Sequence, residues 1–154
     1  MPWPAVLTRW QLGATMSLRQ RQLEVEERVR ERREREDAAP RLCARVATLM
    51  SLSIEIDDHF GAATLAGTRY VRHVVVERAP ALFEIPCSDA SCEGGGHDVT
   101  REVMQALLAG RSEFSGEDVC YGYRGNERCN RVLRFTGHAK YSSDASASKR
   151  CRTG

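Results

Sequence analysis

Two cysteine pairs organise this chain: CSDASC at residues 87–92 and CYGYRGNERC at residues 120–129. Four residues separate the cysteines of the first pair, 27 residues lie between the pairs, and eight separate the cysteines of the second. Two cysteine-bearing turns that face each other present four thiolates to one metal ion. The spacing therefore predicts a metal site with these ligands: Cys87, Cys92, Cys120 and Cys129.

The predicted metal is zinc in a structural role, because four thiolates fill its tetrahedral sphere and leave no position for a substrate or an activated water. His97, which follows three glycines, is the alternative ligand or a hydrogen-bonding neighbour of a thiolate. An iron–sulfur cluster and a Cys120–Cys129 disulfide stay open as other chemistries of the same cysteines. Cys43 and Cys151 stand alone, which predicts a buried thiol and a tail thiol.

Residues 17–39 are predicted to form a charged helix. Glu, Arg, Gln and Leu dominate this segment, which contains no Gly or Pro, and Ser17 can cap its first turn. The apolar stripe is thin, with Leu18, Val25 and Val29 on one side. We therefore expect a mostly solvated spacer; a docking helix for a larger assembly or a short coiled coil are the alternatives.

Residues 41–86 are predicted to be a small antiparallel β region. Leu52, Ile54 and Ile56 alternate with polar residues, and the segments 70–76 and 82–85 are rich in β-branched and aromatic side chains. The chain is thus predicted to be α+β, with a charged N-terminal helix and a small antiparallel sheet leading into a zinc-ribbon-like module at 87–141.

Within residues 87–141 we expect one short helix and a closing strand. Asp98 or Thr100 can cap a helix that runs to Leu108, and Gly110 follows where a glycine often ends a helix. The alternating residues 131–136 predict the strand. Residues 1–16 carry Pro2, Pro4 and Gly13 without a sustained period, and are predicted to be disordered or an incorrect start. Residues 142–154 have no apolar anchor and are predicted to be a disordered tail.

No apolar run approaches the roughly 18 residues that a membrane span requires, and the opening residues do not resemble a secretory signal. We therefore expect a cytoplasmic protein with no membrane partner, whose thiols stay reduced. The opening lacks acidic residues and carries Arg9, Arg19 and Arg21, which leaves an organellar transit peptide as the alternative.

Charge is unevenly distributed although the formal net charge is only +2. Residues 43–120 carry twelve acids and six basic residues, whereas residues 121–154 carry eight basic residues and two acids. Cations that alternate with aromatics suit phosphate neutralisation and base stacking. The predicted nucleic-acid-binding residues are Arg124, Arg128, Arg131, Arg134, Lys140, Tyr121 and Tyr123. Arg128 and Arg131 also flank Cys129 and can offset the charge of bound thiolates, while Phe135 is expected in the core.

The cysteine layout and its flanking strands resemble the broad zinc-ribbon group, in which two cysteine-bearing turns clamp one zinc ion. The resemblance covers Cys87 to about Tyr141. The eight-residue loop in the second pair and the helix between the pairs depart from the simplest ribbons. What the resemblance implies is a nucleic-acid-binding or protein-docking module that accompanies transcription or translation machinery.

The resulting functional hypothesis is a non-enzymatic structural-zinc module that binds nucleic acid, or a transcription or translation assembly, through its basic C-terminal half. An alternative from a different class is a protein-docking adaptor or structural subunit that uses the helix at 17–39. A metal-dependent nuclease acting through His97 or His138 is the third hypothesis. A deaminase is excluded because the chain has no His-x-Glu sequence.

Overall fold

The computed structural model describes residues 17–59, 68–143 and 151, and shows the predicted mixed α+β fold. Segment 1–16, predicted to be disordered, lies outside the described residues, as does most of 142–154. In chain order the elements are α1 (Leu18–Ala38), α2 (Leu42–Arg45), β1 (Leu49–His59), β2 (Thr68–Val74), β3 (Glu84–Pro86), β4 (Gly96–Asp98), α3 (Thr100–Leu108), β5 (Glu113–Val119), β6 (Tyr123–Arg124), β7 (Glu127–Arg128) and β8 (Val132–Tyr141).

Helix α1 is the predicted charged helix. Ser17 closes its first turn as a capping box: the Ser17 hydroxyl accepts a hydrogen bond from the Gln20 N–H, and the Gln20 side chain accepts one from the Ser17 N–H. The helix ends shortly before Pro40, because the residue that precedes a proline is driven out of the helical region. No helix in the described ranges combines the length and the apolar composition needed to cross a membrane.

The main sheet is antiparallel, with the strand order β2-β1-β8-β5. It takes β1 and β2 from the first half of the compact region and β5 and β8 from the second, so the predicted segments 41–86 and 87–141 contribute to one sheet. Strands β1 and β8 bury every second residue, which confirms the alternation seen at Leu52, Ile54 and Ile56. Helix α3 closes the same core with Val103 and Leu107.

Strand β5 was not predicted, and two reciprocal aromatic–glycine pairs hold it against β8. Phe114 lies opposite Gly137, and Phe135 lies opposite Gly116. A Cβ atom on Gly116 would lie 2.7 Å from the Phe135 ring, and one on Gly137 would overlap the Phe114 ring. Each ring therefore occupies the space that the opposing glycine leaves free. Phe135 belongs to the core, as expected.

The short elements position the two cysteine turns. Strands β3 and β4 pair next to the first turn, and β6 and β7 form a two-stranded ribbon inside the second. Helix α3 follows β4 at the predicted place, with the Asp98 carboxylate accepting a hydrogen bond from the Thr100 N–H at 3.1 Å. Gly110 ends the helix at φ +69°, a left-handed conformation that glycine adopts without strain.

Cys43 and Cys151 form a disulfide, so the prediction of two lone thiols is wrong. A buried Cys43 in α2 is joined to a half-buried Cys151 that packs against the core. The two cysteines are 108 positions apart in the sequence, where no local spacing signals a pairing. The bond ties the beginning of the compact region to the C-terminal segment.

Candidate metal centre

The structure brings the four predicted cysteine ligands together. Their Sγ atoms all lie within 4.8 Å of one another. The Cys87 and Cys129 sulfurs are 3.8 Å apart, and the Cys92 and Cys120 sulfurs are 3.7 Å apart. Four thiolates around one zinc at about 2.3 Å stand roughly 3.8 Å apart along each tetrahedral edge. The donor set therefore has the size and chemistry to hold one metal ion.

Each short sulfur–sulfur distance joins one cysteine of the first pair to one of the second. All four are free cysteines, so the alternative of a Cys120–Cys129 disulfide is wrong. A multi-iron cluster is larger than one ion and holds its four thiolates farther apart. The geometry therefore favours a mononuclear site that clamps the two turns to each other.

Short turns give both cysteine pairs their geometry. In the first, the Cys92 N–H donates to the Asp89 carbonyl at 3.0 Å, and the Cys87 N–H reaches the Gly95 carbonyl at 3.5 Å. In the second, the Cys129 N–H donates to the Gly122 carbonyl at 2.9 Å. The eight residues inside the second pair include the β6–β7 ribbon, which turns at Gly125. Because β6 and β7 pair antiparallel, the chain turns back on itself. Cys120 and Cys129 therefore lie close together in space although eight residues separate them in the sequence.

Gly95 and Gly122 pack against the sulfurs so closely that neither position has room for a side chain. A Cβ atom on Gly95 would overlap the Cys92 sulfur and lie 2.7 Å from the Cys120 sulfur, and one on Gly122 would lie 2.5 Å from the Cys92 sulfur. The Gly122 N–H also points to the Cys120 sulfur at 3.4 Å. The two glycines allow the backbone to wrap around the thiolates and to donate to one of them.

The pKa values of the two thiols of the first cysteine pair are raised. Burial, with smaller contributions from the charges of Cys120 and Cys129, raises the pKa of Cys87 to about 12. Burial likewise raises the pKa of Cys92, further than that of Cys87. Four adjacent thiolates repel one another, which makes their joint ionisation unfavourable. A divalent cation offsets this repulsion because it binds the deprotonated form. Binding of a divalent cation to these thiols would therefore release protons.

His97 is not one of the ligands. Its side chain is completely buried in β4, and the group of residues able to hold a metal in the described ranges consists of the four cysteines. Its Nδ1 atom is 3.6 Å from an Asp118 carboxylate oxygen, and no hydrogen bond joins it to a thiolate. Burial lowers the pKa of His97, although the carboxylates of Asp58 and Asp118 pull in the opposite direction. The imidazole is thus held neutral inside the protein.

A buried ion pair connects the main sheet to both cysteine turns, and the sequence did not indicate it. Asp58, near the end of β1, accepts a hydrogen bond from Arg131 Nε at 2.5 Å. The other Asp58 oxygen accepts from the N–H of Ser88, the residue after Cys87, at 3.3 Å. The side chains of Asp58 and Arg131 are only 2% and 5% exposed. Asp58 thus joins the end of strand β1 to the first cysteine turn through Ser88, and to the chain just after the second turn through Arg131.

The other predicted nucleic-acid-binding residues occupy three different environments. Arg124 and Arg128 lie exposed on the β6–β7 ribbon, where Arg124 pairs with Asp89 at 3.0 Å and Arg128 lies 5.5 Å from the Tyr123 ring centre. Arg134 and Lys140 are exposed on the outer face of the main sheet. Tyr121 and Tyr123 are partly buried. Arg131 is enclosed in the ion pair with Asp58 and does not reach the surface.

Helix α1 is mostly exposed, as expected, but it is not a free spacer, because it docks on the metal module, which we define as β3, β4 and the two cysteine turns. Four arginines face the module in place of an apolar stripe. Arg21 pairs with Glu93 at 2.9 Å. Arg32 and Arg35 enclose the Glu84 carboxylate at 3.1 and 2.6 Å. Burial raises the pKa of Glu84 even against these two cations.

The centre of the same helix covers the tyrosines of the second cysteine turn. Arg28 donates to the Tyr121 carbonyl at 2.8 Å, and its guanidinium lies 5.4 Å from the Tyr123 ring centre. Arg32 donates to the Tyr121 hydroxyl. Val25 rests against Gly94, where an added Cβ would lie 3.1 Å from the valine methyls. The signal in the sequence is the arginine spacing 21, 28, 32 and 35, which follows one helical face.

No family model matches this chain, and no curated protein and no solved structure is significantly similar to it. The sulfur geometry and the charged surfaces are therefore the basis of any functional proposal.

Proposed function

We propose that this chain is a non-enzymatic structural-zinc module that binds nucleic acid through its basic C-terminal half. The observation that supports the metal is the cluster of four cysteine sulfurs within 4.8 Å of one another, with distances of 3.7 and 3.8 Å between cysteines of opposite turns. Zinc is the ion that such closed four-cysteine sites hold in a structural role. The metal keeps the β6–β7 ribbon, which lies entirely between Cys120 and Cys129, in one conformation.

The nucleic-acid surface in this proposal is the β6–β7 ribbon. Arg124 and Arg128 project from it, and the guanidinium groups of Arg28 and Arg128 lie 5.4 and 5.5 Å from the Tyr123 ring centre. Exposed guanidiniums neutralise and hydrogen-bond phosphates. Arg131 has no place in this surface because it is buried.

Binding of short single-stranded RNA and DNA, followed by fluorescence anisotropy across a salt series, tests the proposal. The affinity should fall steeply with salt, and each of Arg124→Gln and Arg128→Gln should reduce the salt slope by about one. Arg101→Gln removes an exposed charge from α3 and serves as the matched control. Absence of binding to either nucleic acid at low salt would refute the proposal.

A second candidate function is a protein-docking adaptor that uses α1. The helix docks through its arginine face and leaves Leu18 and Leu23 exposed, at 72% and 56%. Exposed leucines beside charged residues are typical of a docking helix. Leu18→Glu with Leu23→Glu should then abolish recovery of a stoichiometric partner while α1 stays docked, and Arg30→Gln should not. Recovery of the same partner by the double variant excludes this function.

The geometry gives the nuclease hypothesis less support. His97 is fully enclosed and cannot touch a substrate, and a closed thiolate set offers no open metal position. Cleavage of RNA or DNA that requires a divalent metal and disappears in His97→Ala would restore that hypothesis.

A further inference from the structure

The outer face of the main sheet contains a cavity that belongs neither to the metal centre nor to the β6–β7 ribbon. Its volume is about 480 Å³. Most of its lining consists of polar side chains from β1, β2, β8 and the residue that precedes β5. These are Ser51, Ser53, His73, Ser112, His138 and Lys140.

The strand register explains how these side chains meet. Ser53 of β1 lies opposite His73 of β2 on one side and opposite His138 of β8 on the other. Directly opposed residues of antiparallel strands project from the same face. Because neighbouring strands are about 4.8 Å apart, the two histidine Cα atoms are separated by roughly 10 Å with only a serine between them. The small Ser53 side chain leaves room above it, flanked by two imidazoles.

A second row completes the lining. Lys140 lies opposite Ser51, one alternation along β8 from His138. Ser112 adds a third hydroxyl from the chain before β5, where its carbonyl accepts the Ala139 N–H at 2.8 Å. The cavity therefore combines one ammonium group, two imidazoles and three hydroxyls.

All six groups can donate hydrogen bonds, and no carboxylate lines the cavity. Glu113 faces His138 from β5 but lies outside the lining, and Glu117 pairs with Arg134 at 3.3 Å farther along the sheet. A metal does not suit the cavity, because two imidazoles are its only strong metal ligands. A tetrahedral oxyanion suits this lining, since its oxygens can accept hydrogen bonds from donors on different strands.

We propose that this cavity binds a phosphate group. Its volume exceeds that of a free anion and leaves space for the group that carries the phosphate. The same chemistry recognises a free phosphomonoester and a phosphodiester of a nucleic-acid backbone. The site extends beyond the proposed function, because it involves neither the metal nor the ribbon arginines.

The test follows the imidazole resonances of His73 and His138 by NMR while inorganic phosphate is added to the full chain. Both resonances should shift and saturate together, with a dissociation constant of about 1 mM or lower. Lys140→Met and His138→Gln should each weaken binding by about tenfold, the loss expected for one charge-assisted or well-aligned hydrogen bond. All substituted positions are exposed on the sheet face, so the fold is not at risk.

Arg134→Met is the matched control, because Arg134 projects from the same strand and face but lies outside the cavity. It should leave phosphate binding unchanged. An equal loss in Arg134→Met and Lys140→Met would reveal general charge attraction and overturn the proposal. Absence of a saturable shift at about 10 mM phosphate would overturn it as well.

Two further ligands distinguish a phosphomonoester from a nucleic-acid backbone as the natural ligand. A nucleoside monophosphate that moves both histidines, while an oligonucleotide without terminal phosphates does not, assigns the site to phosphomonoesters. Movement with both assigns it to nucleic-acid backbones as well. Arg124→Gln with Arg128→Gln should leave the histidine shifts with inorganic phosphate unchanged, so failure of the nucleic-acid proposal and failure of this one are distinguishable.

Discussion

The main sheet and the metal module are stabilised by different physical means. The sheet buries Leu52, Ile54, Ile56, Leu133 and Phe135 in one apolar core. The metal module contains four clustered cysteines that could hold a metal ion, glycines packed against their sulfurs, and carboxylates paired with arginines from α1. Apolar burial is insensitive to chelators and salt, whereas thiolate ligation and arginine pairing respond to metal, pH and ionic strength. The comparison predicts that the two regions respond to different perturbations.

Truncating the sheet core should produce the largest loss among the substitutions outside the cysteines. Phe135→Ala removes a ring that fills the space over Gly116, at an expected cost of about 3–5 kcal/mol in the free energy of unfolding. Denaturant unfolding measures it. Ser115→Ala, an exposed neighbour on β5, should cost less than about 0.5 kcal/mol. Equal stability of the two variants would show that the sheet core does not stabilise the fold.

The Asp58–Arg131 ion pair lies where the two regions join. Asp58→Ala leaves the buried Arg131 guanidinium without that carboxylate, and the expected cost is about 3 kcal/mol. The double variant Asp58→Ala with Arg131→Met should recover part of the loss, because no charge remains buried there. A double-mutant cycle measures the coupling. Additive losses would mean that the pair does not connect sheet and module as a unit.

Docking of α1 should depend on salt. Arg32→Met removes the contacts to Glu84 and Tyr121 at a partly exposed site, so we expect a loss of about 1 kcal/mol at low salt and less at high salt. Hydrogen exchange of the α1 amides reports the docking. Arg30→Met is the control, because Arg30 is 67% exposed and pairs only weakly within the helix. Equal effects at both salt concentrations would contradict an electrostatic interface.

The buried His97 should make the fold less stable in mild acid. Burial lowers its pKa in the folded chain, so the unfolded chain takes up a proton first as the pH falls below about 6.5. Stability should then decline by up to about 1.4 kcal/mol per pH unit until the folded pKa is reached. His97→Gln should reduce this slope relative to the wild type when both are unfolded by denaturant between pH 7 and 5. Identical slopes would show that His97 does not titrate on unfolding.

The sequence predicted the features that depend on local patterns. Alternation at Leu52 to Ile56 indicated a half-buried strand, and Ser17 and Gly110 indicated the ends of helices. The cysteine spacing indicated the four residues that the structure brings together. Each of these signals comes from residues that are close in the chain, where periodicity and backbone preference are direct consequences of the residue type.

The features that the sequence did not reveal depend on distant partners. Strand β5 reads EFSGEDV, a segment with low strand propensity whose place in the sheet comes from Phe114 against Gly137 on β8. The arginine face of α1 has no apolar periodicity, and the sequence does not reveal what its arginines contact, because only the fold brings Glu84 and Glu93 beneath them. No local pattern in the sequence indicates that the Asp58 carboxylate is buried, and only the fold places Arg131 against it.

The metal content of the purified chain tests the central claim most directly. Native mass spectrometry should find one zinc ion per chain in the wild type and none in Cys129→Ser, because the site loses one of its four thiolates. Cys151→Ser, which removes a disulfide cysteine but no ligand, should retain the zinc. A wild-type chain that binds no zinc when it is supplied, or a Cys129→Ser chain that keeps a full equivalent, would contradict the account.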